Sequence, residues 1–211
     1  ISGGHSEFYI IKKINDYIHL GGTIDDALGE AFDKVARALG LDFPGGAALE
    51  KLAKEGNPDK YDLPKPLLNE KNINFSFSGL KTAVLRVLEK ELLYSDSFDK
   101  SDLAASFQKA VSDILCDRIN NAIKLFSEYF PASNSIVVSG GVASNNMIRK
   151  NIKNLSKING FNCYFPPVNL CTDNAAMIAW SGFERFNIGY RNDLAFKAMP
   201  RWPLQNRKDF P

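Results

Sequence analysis

The chain has 211 residues, of which 45% are hydrophobic and 24% charged, enough for one substantial core and at most a small second lobe. Its formal net charge of +2 lacks the strong basic bias of a dedicated nucleic-acid binder, while leaving room for such a partner. Three cysteines (Cys116, Cys163, Cys171) without CxxC spacing speak against a disulfide framework or a zinc site and for free, mostly buried thiols in a reducing compartment, and no apolar run reaches the length of a membrane span.

Residues 1–20 read as a hairpin, with Phe8–Ile11 as one strand, Tyr17–Leu20 as its partner, and Gly21-Gly22 breaking the run. Thr23 then caps a predicted helix, with Asp26 as a capping-box acid and Gly40 as the stop; Ile24, Ala27, Leu28, Ala31, Val35, Ala38 and Leu39 carry its apolar stripe. Phe43-Pro44-Gly45-Gly46 reads as a tight turn before a short helix through Leu52, and residues 56–74 as an irregular surface excursion rich in Pro, Asn, Lys and Asp. Phe75–Gly79 leads into a helix through Leu93, and Ser101 caps a long amphipathic helix to about Phe130. Strand 136–138, a helix from Asn145 and strand 162–165 form a βαβ unit. A last helix runs from Asp173 to about Ile188, closed by Gly189, and the tail after 190 is expected to lie along the surface. The class is α/β.

The tripeptide Ser-Gly-Gly occurs twice, at 2–4 and, after Ile136-Val137-Val138, at 139–141. Paired glycines closing a strand let the backbone turn with φ > 0 and let a ligand reach main-chain N–H groups, so two copies suggest a phosphate or nucleotide held from two sides. The first copy has almost no strand in front of it, and the chain is expected to be the C-terminal part of a larger protein.

On the predicted helix 23–40, Asp26, Gly29, Glu30, Asp33 and Arg37 share the face opposite the apolar stripe. Such a face is ordinarily solvated and laced by pairs such as Glu30–Lys34 and Asp33–Arg37. A mid-helix glycine costs about 1 kcal/mol against alanine, so Gly29 implies close approach to a ligand or a strand, and carboxylates beside that gap suit ribose hydroxyls. In Cys171-Thr172-Asp173-Asn174, Thr172 or Asp173 reads as a helix cap, and Asp173 alternatively as a metal ligand. His5 is placed to face a ligand, whereas His19 reads as structural. Arg149, Lys150, Lys153 and Lys157 form a solvated stripe that could also track phosphates. Gly79-Leu80-Lys81-Thr82 lacks the spacing of a phosphate-binding P-loop.

Six blocks in order resemble the TsaD family, the tRNA adenosine threonylcarbamoyltransferases long labelled O-sialoglycoprotein endopeptidases or glycoproteases: Ile1–His5, Thr23–Lys34, Phe43–Gly46, Phe75–Thr82, Ser139–Asn145 and Cys171–Ala179. The Phe75–Thr82 block is similar to the bacterial and organellar branch. The resemblance spans essentially residues 1–205. It implies the actin-like, sugar-kinase and heat-shock-chaperone ATPase architecture, in which two α/β lobes clasp a nucleotide. Residues 1–190 would be mainly the C-terminal lobe, with 55–100 an excursion within it, 191–211 a tail, and the N-terminal lobe absent. The implied reaction transfers threonylcarbamoyl from a threonylcarbamoyl-adenylate to the adenosine 3′ of a tRNA anticodon. Carried onto this sequence, Ile1, Ser2, Gly3 and Gly4 hold the carbamoyl-adenylate with His5 beside them. Asp33 takes ribose hydroxyls, Gly46 lies against the nucleotide, Asn145 holds the adenosine side, and Asp173 is a metal ligand. No catalytic nucleophile is assigned.

The resemblance further implies one divalent metal, iron before zinc or magnesium. The implied partners are tRNA, a smaller paralogue of the same fold and a P-loop ATPase, in a homo- or heterodimer without a membrane. The location would be the cytoplasm, or the mitochondrion for an organellar member. The family's other metal ligands are two histidines in the first lobe, and this chain has no such pair, so the piece alone is expected to be inactive. Ala175 stands where glycine is usual. Rival readings are a non-catalytic nucleotide-binding paralogue, a metal-dependent glycoprotease, and a small-molecule kinase of the same architecture.

Overall fold

The computed structural model describes residues 1–95, 97–195 and 197, together with the backbone of 207–209. The first apolar alternation makes β1 (Glu7–Lys13) and β2 (Asp16–Gly22), paired antiparallel, so Gly21 and Gly22 finish the second strand instead of breaking it. A short strand from the tail, β5 (Arg207–Asp209), pairs parallel with β2, so this part of the tail joins a sheet. The rest of the tail call, with Pro200 and Pro203, lies outside the described residues.

Helix α1 (Leu28–Ala38) begins four residues later than the capping pattern of Thr23 and Asp26 implies. Thr23 is held in a bridge to Phe75 instead, its hydroxyl donating to the carbonyl of Asp26 at 2.6 Å. The real cap comes from far away: Ser6, fully buried, accepts the Leu28 amide on its Oγ at 3.0 Å. Gly40, at φ +77°, ends the helix as expected. Helix α2 (Gly45–Ala53) takes both glycines of the presumed turn into its first turn. Residues 56–74 carry no helix or strand, and α3 (Ser78–Tyr94) follows.

The core is organised around α4 (Lys100–Tyr129), whose predicted inner face is buried from Leu103 through Ile123. Its cap is Asp99, which accepts the Ser101 amide at 2.8 Å, rather than Ser101 itself. Helices α1 and α2 pack on it, with Phe32 edge-on to Phe107 at 5.1 Å between ring centres. β3 (Ser135–Val137), α5 (Asn146–Ile158) and parallel β4 (Asn162–Tyr164) form the βαβ unit read from the sequence. Helix α6 (Ala175–Asn187) is capped by Asn174, not by Thr172 or Asp173, and buries none of its residues. The thiols of Cys116, Cys163 and Cys171 are free, and Cys171 alone is fully buried. No helix among the described residues is long and apolar enough to cross a membrane.

Candidate functional site

The two Ser-Gly-Gly loops lie side by side. Ser2 and His5 close the first as a tight turn, the Ser2 amide donating to the His5 carbonyl at 2.7 Å and the His5 amide to Ser2 Oγ at 3.0 Å. Ile1 ties it to the second loop: its nitrogen donates to the Ser139 carbonyl at 2.9 Å, and its carbonyl accepts the Val142 amide at 3.2 Å. Gly140 sits at φ +95°, and a Cβ there would stand 2.4 Å from the Ile1 carbonyl oxygen, so only glycine lets the loops meet.

Helix α1 is pressed onto the first loop. The Gly29 amide donates to the Ser2 carbonyl at 2.9 Å, and a Cβ on Gly29 would lie 2.7 Å from the Gly3 nitrogen. The mid-helix glycine therefore answers to a neighbouring loop. One helical turn on, Asp33 accepts the Gly45 amide on Oδ1 at 3.0 Å and fixes the first turn of α2. Among the described residues, its other oxygen has no protein donor. Glu50, further along α2, accepts the Asn146 amide at 2.9 Å and so joins α2 to the start of α5.

Ser2, Gly3, Gly4, Gly46 and Gly141 thus lie on one rim of loop ends and helix starts. Beside Gly3, Gly4, Gly46 and Gly141 there is open space where a side chain would stand. Such a rim offers main-chain N–H groups and helix N-termini to phosphate-like oxygens and a carboxylate to hydroxyls. His5 is exposed at its edge.

Asn145 is set back from this rim. It is buried, capping α5 through Oδ1 to the Ile148 amide at 3.0 Å, with Nδ2 donating to Gln108 Oε1 at 2.7 Å. Gln108, unremarked in the sequence, is its counterpart on α4. Arg149 is likewise engaged within the chain: it donates to the carbonyls of Ala143 and Pro166 and lies over the Phe165 ring at 4.9 Å. It is not a free phosphate contact. Lys150 and Lys157 stay exposed, as a solvated face would have them. Glu30–Lys34 forms an ion pair at 2.6 Å as read from the spacing, and the hydrogen bond the lysine donates to Glu30 is the main reason it is pushed up to about 12.

Asp173 is exposed just before α6, and no group of three His, Cys, Asp or Glu side chains among the described residues could hold a metal ion. The donors present supply one carboxylate and do not by themselves fit a metal centre.

Two blocks of the sequence turn out to be one physical unit. The Asp25 carboxylate accepts from Ser76 Oγ at 2.5 Å, the Phe77 amide at 2.8 Å and Ser78 Oγ at 2.9 Å, and so caps α3. Burial alone would raise its pKa, but these hydrogen bonds outweigh it and hold the group below the usual carboxylate range. Asp26 is lowered as well, first by the hydrogen bond from Lys81 at 2.5 Å.

The family model for TsaD, tRNA N6-adenosine threonylcarbamoyltransferase, matches residues 1–180. The chain belongs to the TsaD family. Curated proteins named tRNA N6-adenosine threonylcarbamoyltransferase are similar along its whole length. That of Methylocapsa acidiphila is 49% identical over 97% of this chain and 58% of its own length. That of Rhizobium johnstonii is 47% identical over 99% and 58%, and that of Wolbachia pipientis wMel 48% over 98% and 60%. The chain thus spans somewhat under two thirds of these TsaD relatives, matching their C-terminal part. Its α/β architecture is that of the actin-like ATPase class.

Proposed function

We propose that this chain carries the adenylate-binding half of a tRNA adenosine threonylcarbamoyltransferase. The observation that carries the reading is the junction of the two Ser-Gly-Gly loops through Ile1, with Asp33 holding the start of α2 beside them. In a TsaD member this rim suits a threonylcarbamoyl-adenylate. Backbone amides of Gly3 and Gly4 face its charged oxygens, Gly46 leaves room for the nucleotide, and the free oxygen of Asp33 accepts from ribose hydroxyls. Asn145 acts indirectly, fixing the second loop through its cap on α5.

In the reaction, the exocyclic amine of a tRNA adenosine attacks the carbamoyl carbon of the mixed anhydride. The new C–N bond forms, the bond from that carbon to the phosphate oxygen breaks, AMP leaves, and the amine gives up a proton. Main-chain donors stabilise charge developing on the carbamoyl and phosphate oxygens, and alignment of the two substrates supplies much of the remainder. No thiol is needed; burial pushes Cys116 up to about 11 and keeps it protonated. A divalent ion, with Asp173 as one ligand, would need further donors from outside these residues. The tRNA, a smaller paralogue of the same fold and a P-loop ATPase are the proposed partners.

The test is threonylcarbamoyl transfer to tRNA by the full-length protein from supplied threonylcarbamoyl-adenylate. Asp33→Ala is expected to raise KM for the adenylate about tenfold or more, the scale of a lost hydrogen bond to a charged group. Unchanged kinetics in that variant would remove Asp33 from the site.

A further inference from the structure

Among the described residues, helix α5 is the element with the most one-sided charge. Its 13 residues carry Arg149, Lys150, Lys153 and Lys157 and no acid, although the chain as a whole has 26 basic and 24 acidic residues. Arg149 is taken up inside the fold by the carbonyls of Ala143 and Pro166. The three lysines are exposed. None of them forms an ion pair among the described residues, unlike Lys34, Lys65, Lys81 and Lys109. Glu50 is the carboxylate that reaches α5, and Asn146 occupies it through its amide at 2.9 Å and its side chain at 3.0 Å.

The spacing turns these charges into a stripe. Lys150, Lys153 and Lys157 follow one another at three and four residues and so share one side of the helix, with exposed Asn154 between them. Ile148, Ile152 and Ser156 are buried on the opposite side. Like charges at these spacings repel and weaken a helix. Lys157 is compensated in the last turn, where a cation suits the helix dipole. Lys153 has the Phe165 ring at 5.8 Å, shared with Arg149, and Lys150 has no such contact. A helix that bears this repulsion and supplies no acid of its own is matched to an anion from outside.

Placement says which anion. Helix α5 starts where the second Ser-Gly-Gly loop ends, with Asn145 as its cap. The stripe therefore begins little more than one turn from the rim and leads away from it, along a helix about 20 Å long. A polymer with one unit reacting at the rim must lay its neighbouring units over the surface beside it. Repeated cations and an amide in a row suit a sugar-phosphate backbone.

We propose that the exposed face of α5 binds the backbone of the RNA substrate next to the target adenosine. Lys150, Lys153 and Lys157 each take a phosphate, and Asn154 hydrogen-bonds to the sugars or phosphates between them. The contact positions the RNA and reads no base. The identity of the anion rests on the reading of this chain as part of a tRNA threonylcarbamoyltransferase; the charge pattern does not.

The experiment uses the full-length protein with Lys150→Gln, Lys153→Gln and Lys157→Gln combined. A second triple variant, Lys71→Gln, Lys90→Gln and Lys124→Gln, removes the same charge from exposed positions elsewhere. Equilibrium binding of tRNA is measured against salt. The α5 variant is expected to flatten the slope of log affinity against log salt by about 2 to 3, the contribution of three phosphates. Between about 50 and 200 mM salt the wild type should then lose about 20-fold more affinity than the variant does. KM for tRNA should rise, KM for the adenylate should stay put, and the melting temperature should not fall, because the substitutions relieve repulsion. The second variant should keep the wild-type slope. An α5 variant that binds tRNA with wild-type affinity and slope would overturn the proposal and leave the stripe to an acidic protein surface or to solvent. Equal flattening in both variants would overturn it too, by tracing the effect to overall charge. Asp33→Ala tests the adenylate reading separately: unchanged adenylate kinetics there, with a flattened slope in the α5 variant, would sink that reading and support this one.

Discussion

Gly29 shows what a single missing methyl group does here. Its backbone touches the Ser2-Gly3 loop so closely that a Cβ would lie under 3 Å from Gly3. Gly29→Ala must push α1 and the loop apart, and overpacking of this kind costs about 1–3 kcal/mol. Urea unfolding should register that loss, and adenylate binding should weaken with it. Asp25 makes a different prediction, one in pH. Its folded pKa and that of Asp26 lie below the ordinary 3.8, so their contribution to stability is complete above that value and is lost as pH falls through the folded pKa. Thermal unfolding should therefore fall more steeply below about pH 4 in the wild type than in Asp25→Asn, which has no charge left to lose. Parallel acid profiles would show that the α3 cap does not depend on the Asp25 charge. The sequence makes Gly29 conspicuous, because a helix-interior glycine calls for a reason. It gives no sign that Asp25 and Ser76–Ser78, some fifty positions apart, form one cap.

At the scale of elements, α4 and the β3-α5-β4 unit are legible because apolar period and strand spacing are local properties. Helix starts are less so, since the groups that satisfy them need not be neighbours. Ser6 caps α1 across 22 positions, and Thr23 and Asp26, which have the right spacing for a capping box, are drawn away by Phe75, Lys81 and Lys34. The excursion 56–74 reads correctly as irregular, but what holds it is invisible in the pattern. Arg118, fully buried on α4, donates to the carbonyls of Glu70 and Asn72 at 2.7 Å each, with Asp117 beside it. Arg118→Met keeps the apolar stem but removes both bonds and leaves the two carbonyls with Asn121 Nδ2 as their remaining donor, a loss of about 1.5–3 kcal/mol for each charge-assisted bond. Limited proteolysis should then cut the excursion much faster than in the wild type while α4 stays intact. Equal cleavage rates would mean that the excursion is held by something other than Arg118.

For the molecule as a whole, the arrangement is a helical body with its loop ends gathered on one rim. The sequence points to that rim through the repeated Ser-Gly-Gly and Asp33, because glycine pairs and a carboxylate on a polar face are chemical signals, whereas Gly46 comes from the family resemblance alone. It does not reveal that Ile1 joins the two loops, nor that Asn145 turns inward to Gln108, since both depend on pairings between distant segments. The central claim is that this rim binds the adenylate. The most direct measurement is amide hydrogen exchange on the full-length protein with and without saturating AMP. The account expects slowed exchange in residues 2–5, 45–47 and 140–145, and loss of that effect in Asp33→Ala. Protection confined to other segments, or equal protection in the Asp33 variant, would contradict it.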